Sequence, residues 1–251
     1  MKRILKQEYL PFAALTLGVI AFLLRLWFLS LGTDAMGLMA EGHISDIMSW
    51  VVVAIAMALL AAGLYLPKGS NPLTPGAAVS SLGLVLTAGA FACATFVETQ
   101  TSADLLSTIS LVLGILSVIA LLLFAWCRFI DSKPNVLFPT AVCLFLMVYL
   151  VSHYRLWSSY PQLQRYAFEL LATVFTMVAG YQRAALTLNM SKEKVYNFFT
   201  LGALFFSLAA IPGCENPVFF IGCAVWMFFT PFRAEPGEDV TEANISKEEA
   251  E

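Results

Sequence analysis

The chain reads as all-α, a polytopic membrane bundle of about eight transmembrane helices, and three observations carry that expectation. Its 251 residues are 59% hydrophobic and only 12% charged, well outside the balance of a soluble domain. Eight apolar stretches follow one another along the chain, each compatible with crossing much of a hydrocarbon core about 30 Å thick. Clusters of Pro, Gly, Ser and Asn separate them, as at Pro67 to Pro75, Ser132 to Asn135 and Pro212 to Pro217, so they are joined by turns and not by domain linkers.

The first span, 10 to 31, follows Lys2, Arg3 and Lys6. That layout is shared with signal peptides, but Arg25 interrupts the apolar run and no convincing small-x-small cleavage site follows, so the segment is expected to stay as a span. The second, 46 to 66, places Ala54, Ala58 and Ala62 four residues apart. The third, 75 to 98, does the same with Ser80, Gly83, Thr87, Ala90, Ala94 and Glu98, and the fourth, 103 to 126, with Ser107, Ser110, Gly114 and Ser117. Small faces of this kind let helix backbones approach where lipid supplies no hydrophobic drive, so they predict packing seams. The fifth span is 135 to 153. The sixth, 163 to 188, is the one in which polar chemistry crosses the membrane. The seventh, 195 to 212, carries another small face, Asn197, Thr200, Ala203, Ser207, Ala210 and Cys214, and the eighth, 217 to 232, is the shortest.

Orientation follows from the basic residues near the span ends. With a cytoplasmic N-terminus, Lys2, Arg3, Lys6, Lys68, Arg128, Lys133, Arg183, Lys192, Lys194 and Arg233 lie inside, against Arg155 and Arg165 outside, as the positive-inside rule requires. Eight spans return the C-terminus to the cytoplasm. The transmembrane domain then covers residues 1–233, and residues 234–251 form an acidic tail whose seven acids stand against Lys247 alone; without aromatics or apolar period it is expected to be disordered. A faint four-plus-four repeat is visible, Arg25-Leu26-Trp27 against Arg155-Leu156-Trp157 and Glu98 against Glu215, which would set two halves parallel in the membrane.

The five cysteines, Cys93, Cys127, Cys143, Cys214 and Cys223, show no CxxC spacing and read as small core residues. No nucleotide-hydrolysis loop, HExxH, GxSxG or haem-type histidine pair is present in the sequence. No cofactor and no nucleic acid enter the expectation.

Candidate site residues come from the sixth span. In a helix, Gln162, Tyr166, Glu169, Thr173, Thr176, Gly180 and Arg183 share one face, and from Tyr166 to Arg183 the stripe rises about 26 Å. A charge inside a membrane demands a partner or water. Arg25, in the outer third of the first span, reaches the depth of Glu169, which allows either an ion pair locking two helices or an outward-facing cavity in which Arg25, Glu169, His153 and Arg155 meet a ligand. His153, Tyr154, Arg155, Trp157, Tyr160 and Tyr166 cluster at the outer surface, as an interfacial aromatic belt or as a binding lip with Trp157 over it.

The expected function is a small-solute transporter, or the membrane-embedded substrate-binding subunit of one, with a polar site opening to the outer side. Glu169 serves as recognition or coupling carboxylate, Arg25 and Arg155 attract an anionic or zwitterionic solute, and Thr173 and Thr176 line the way inward. Two alternatives stand beside it: an enzyme acting on a lipid near the outer leaflet with Glu169 or His153 as base, and a non-catalytic sensor or assembly factor that meets a protein partner through its cytoplasmic loops and acidic tail. Compact loops without large domains point to a bacterial cytoplasmic membrane and a lipid bilayer as the constant partner.

Overall fold

The computed structural model describes residues 10–31, 44–65, 77–101, 105–130, 132, 135–157, 166–188 and 190–229, excepting the side chains of 44–46, 77, 98–101, 105–107 and 156–157. Each of the eight apolar stretches is helical: α1 Leu10–Leu31, α2 Ile44–Gly63, α3 Ala77–Thr101, α4 Leu105–Phe129, α5 Leu137–Trp157, α6 Ala167–Thr187, α7 Glu193–Ala210 and α8 Pro217–Phe229. Among the described residues there is no strand. Helices α1, α3, α4 and α5 are long and apolar enough to cross a membrane, while α2 and α8 hold shorter apolar runs. The acidic tail lies outside the described residues.

Neighbouring elements in sequence pack side by side from α3 through α8, and α8 returns against α3, closing a ring of six helices. Helix α1 docks on α7, and α2 packs on α1 with a lesser contact to α7. As a result α7 is buried continuously from Thr200 to Ser207. The short α8 buries Phe219, Phe220, Gly222, Cys223, Ala224, Trp226 and Met227. Phe219 meets Phe91 of α3 at 5.0 Å between ring centroids and Phe145 of α5 at 6.3 Å, so α8 reaches towards the axis of the bundle as well as its ring neighbours.

The outward faces of the long helices are apolar. On α4 alone Ile109, Val112, Ile115, Leu116, Ile119, Leu122 and Leu123 are exposed. Leaving about half of each such side chain in water forgoes about half of the roughly 1.5 to 3 kcal/mol that full burial supplies, and a contiguous surface of this kind calls for a non-aqueous neighbour. The protein is therefore a membrane protein by the character of its surface as well as by its helix lengths.

The small faces divide into those used and those not used inside the bundle. In α3, Ser80, Gly83, Thr87 and Ala94 are buried; Thr87 Oγ1 donates to Gly222 O of α8 at 3.3 Å and Ser80 Oγ to Phe229 O at 3.4 Å. In α4, Ser110, Gly114 and Ser117 are buried, with Gly114 against Thr95 and Phe145. In α2, by contrast, Ala54, Ala58 and Ala62 are exposed, and Ala56, Leu60, Gly63 and Leu64 turn inward. The inward face of α2 is a mixed one, with Gly63 packed closely on Leu10 of α1, so the docking partner and not the four-residue spacing selects which face is buried.

Candidate functional site

Polar groups converge on the turn between α7 and α8, Ile211-Pro212-Gly213-Cys214-Glu215-Asn216. Its shape is encoded locally. Gly213 has φ 82°, a conformation that side chains resist. Asn216 Oδ1 accepts the backbone N–H of Phe219 at 3.4 Å, the N-cap bond to the third helical residue, and Pro217 occupies the first helical position, where no N–H is needed. Asn216→Ala is expected to cost about 1 kcal/mol in unfolding free energy while Asn216→Asp retains most of it, measured by denaturant titration of the purified protein.

Four helices flank the turn. From α1, Arg25 is buried and its Nε donates to Pro212 O at 3.2 Å. The same guanidinium lies over the Phe168 ring of α6, 4.5 Å from its centroid, and Phe168 stacks in turn on Trp50 of α2 at 5.5 Å. From α6, Glu169 is also buried, and the charges of both Glu169 and Arg25 bear on the Cys214 thiol. From α5, His153 stacks on Tyr149 at 3.9 Å, and Tyr149 on Phe219 at 4.4 Å. His153 Nδ1 lies 3.0 Å from Tyr149 O; a carbonyl only accepts, so Nδ1 carries the hydrogen. The charge of Glu215 reaches this imidazole. From α3, Ala94 O faces Asn216 Nδ2 at 3.5 Å.

The expected stripe on α6 is a single inward face: Tyr166, Glu169, Thr173, Thr176, Gly180 and Arg183 are all buried. Gln162 lies outside the described residues, since α6 begins at Ala167 with Tyr166 as its cap. Away from Glu169 the stripe is occupied by packing. Thr173 Oγ1 donates to Glu169 O at 2.8 Å and Thr176 Oγ1 to Ala172 O at 2.7 Å, each satisfied by its own helix, and Thr176 also meets Cys223 of α8. A Cβ on Gly180 would meet Cys143 Sγ at 2.9 Å and Trp226 at 3.3 Å, which fixes how closely α5, α6 and α8 approach. At the far end Arg183 lies over Tyr196 of α7 at 5.7 Å. Glu169 and Arg183 are fourteen residues apart on α6, about 21 Å along its axis, so the stripe links two separate polar regions.

Of the residues named from sequence, Arg25, Glu169 and His153 are brought to the one turn, Thr173 and Thr176 lie beneath Glu169, and Arg155 is exposed near the end of α5. The side chain of Trp157 lies outside the described residues. Arg25 and Arg155, which share a three-residue motif, thus occupy different surroundings, one buried and one exposed. Sequence reasoning missed Pro212, Cys214, Asn216 and Phe168 and gave Glu215 no chemical part. The Asn216-Pro217 pair was a readable helix-start signal; that the turn sits among Arg25, Glu169 and His153 was not readable.

Among the described residues no group of three or more His, Cys, Asp or Glu is placed to hold a metal ion. The arrangement offers fixed charge of both signs, one imidazole and stacked aromatic rings, a set suited to recognising a small polar molecule. Comparison of the chain with protein-family models, curated proteins and solved structures gave no match.

Proposed function

We propose that this multi-pass membrane protein binds a small zwitterionic or anionic solute from the outer side of a cell membrane, as a transporter or as the membrane-embedded binding subunit of one. In this reading all eight helices span, both termini are cytoplasmic, and the end of the bundle carrying the α7–α8 turn faces out. The supporting observation is the burial of two opposite charges, Arg25 and Glu169, with the Arg25 guanidinium over the ring of Phe168, the residue next to Glu169. Charged groups at such depth are retained at a cost of several kcal/mol, and Arg25 with Glu169 supplies complementary charges for a molecule bearing both signs. Having no nucleotide-hydrolysis motif, the protein draws energy from an ion gradient or from a partner.

Access to Thr173, one turn below Glu169, tests this. In a variant lacking the five native cysteines, Thr173→Cys is expected to react with a membrane-impermeant thiol reagent applied from outside, and to react at least tenfold more slowly when a transported solute is present. A folded, inserted protein in which Thr173→Cys stays unmodified favours the second reading, a non-catalytic assembly or sensor protein. That reading has its own support in the two threonine hydroxyls satisfied by their own helix and in the tight Gly180 crossing.

A further inference from the structure

We propose that the corner where α6 passes into α7 is a site for an anionic phospholipid, its phosphate held by Lys192 and Lys194 and its apolar part seated on the exposed Leu188 and Met190 beside them. The corner lies at the end of α7 away from the α7–α8 turn, so the proposal is independent of the solute reading.

The shape of the corner comes from its own backbone. The N–H groups of Leu188 and Met190 both return to Ala185 O, at 3.2 and 2.9 Å, and those of Val195 and Tyr196 to Lys192 O, at 2.9 and 3.2 Å. Ser191 Oγ donates to Gln182 Oε1 of α6. A turn tied on both sides holds its apex in place, and this apex is apolar: Leu188 and Met190 are 55% and 79% exposed. Apolar side chains fixed outside the packed interior, at the ends of two helices of a membrane protein, meet the boundary between acyl chains and headgroups.

The charges give this boundary site its sign. Lys192 and Lys194 are exposed, and among the described residues neither forms an ion pair; Glu193, between them in sequence, has an interaction of its own. Exposed lysines at a bilayer surface lay their stems on apolar neighbours and hold the ammonium at the level of the phosphates, where each favours an anionic over a neutral headgroup by about fivefold. Lys194 is placed further by Tyr65 at the end of α2, its Nζ 5.3 Å from the ring centroid, and an exposed tyrosine at a helix end marks the headgroup level. A soluble anion would satisfy the lysines and leave Leu188 and Met190 in water, and a zwitterionic lipid would cover those two and leave the positive charge in excess. An anionic phospholipid answers both. Because α2 makes only a lesser contact with α7, a phosphate on Lys194 also adds a link between these helices where the protein supplies little of its own.

The experiment takes the full chain in nanodiscs of equal phosphatidylglycerol and phosphatidylcholine and reads, by native mass spectrometry, which lipids stay bound on release. Phosphatidylglycerol is expected to be retained about tenfold over phosphatidylcholine. The pair Lys192→Gln and Lys194→Gln is expected to bring that ratio towards one, and the pair Lys192→Arg and Lys194→Arg to keep it. Lys2→Gln with Arg3→Gln removes the same charge elsewhere in the chain and is expected to leave the ratio unchanged. Leu188→Ser with Met190→Ser is expected to lower retention of both lipids severalfold without changing their ratio. Equal retention of the two lipids by the parent protein overturns the proposal, as does a preference that the glutamine pair leaves intact or that Lys2→Gln with Arg3→Gln removes equally. Displacement of the bound lipid by millimolar glycerol 3-phosphate would make the ligand a soluble phosphate and overturn the lipid. Phosphatidylglycerol retention that arises only after residues 234–251 are deleted would give the corner to the acidic tail. Where the glutamine pair fails to insert, Lys194→Gln alone is read, with about a fivefold loss of preference expected and an unchanged ratio overturning the role of Lys194.

Discussion

Arg25→Met is expected to lower the unfolding free energy by about 3 kcal/mol, and Arg25→Lys by roughly half of that. The arginine is buried, and its contacts include the Nε–H donated to Pro212 O and the guanidinium face on Phe168. A hydrogen bond from a charged donor contributes about 1.5 to 3 kcal/mol, and a desolvated cation–π contact about 2. Methionine fills most of the volume but removes the donor that Arg25 supplies to Pro212 O. Lysine restores the charge without the planar fork that addresses a carbonyl and a ring at once. Denaturant titration in detergent, followed by far-UV circular dichroism, gives both values. A loss below about 1 kcal/mol for Arg25→Met would mean that the turn is held by the rest of the bundle and not by this residue.

Gly222→Ala is expected to cost about 2 to 3 kcal/mol despite being a change of one methyl group in a helix, where alanine is otherwise the better former by about 1 kcal/mol. A Cβ at position 222 would stand 2.6 Å from the Cβ of Ala90, so α3 and α8 would have to separate. That separation also stretches the bond from Thr87 Oγ1 to Gly222 O and loosens Phe91 from Phe219. Because the obstacle is a single methyl, Ala90→Gly in the same chain is expected to recover at least half of the loss. Such a coupling between two neighbours is what a double-mutant cycle reads; additive losses would place the cost in the helix itself and not at the crossing. The wider consequence concerns the turn. Asn216 caps α8 and Phe219 lies in its first turn, so a shift of α8 against α3 moves the turn on which Arg25, Glu169 and His153 converge.

Much of the architecture was legible in the residues because a hydrocarbon environment leaves few solutions. A run of about twenty apolar residues has to satisfy its own backbone, and a helix does so within the segment; the eight expected stretches and the eight helices accordingly agree to within a few residues at most ends. The inward face of α6 was legible for a related reason. Charged and hydroxyl groups at steps of three and four cannot all be turned to lipid, so burial of Glu169, Thr173, Thr176 and Arg183 followed from their spacing.

Other features depended on which helices became neighbours. The alanines of α2 are spaced as regularly as the small residues of α3, yet one set is exposed and the other packs against α8, because spacing says that a face is smooth and not what meets it. Arg25 and Arg155 share a three-residue motif, and only the docking of α1 on α7 buries the first. The composition and periodicity of this chain determine a helical membrane protein with a polar face on its sixth helix. That the α7–α8 turn gathers groups from four other helices was decided by the tertiary structure, since Arg25 and Pro212 stand 187 residues apart and a contact of that separation leaves no local pattern in the sequence that makes it.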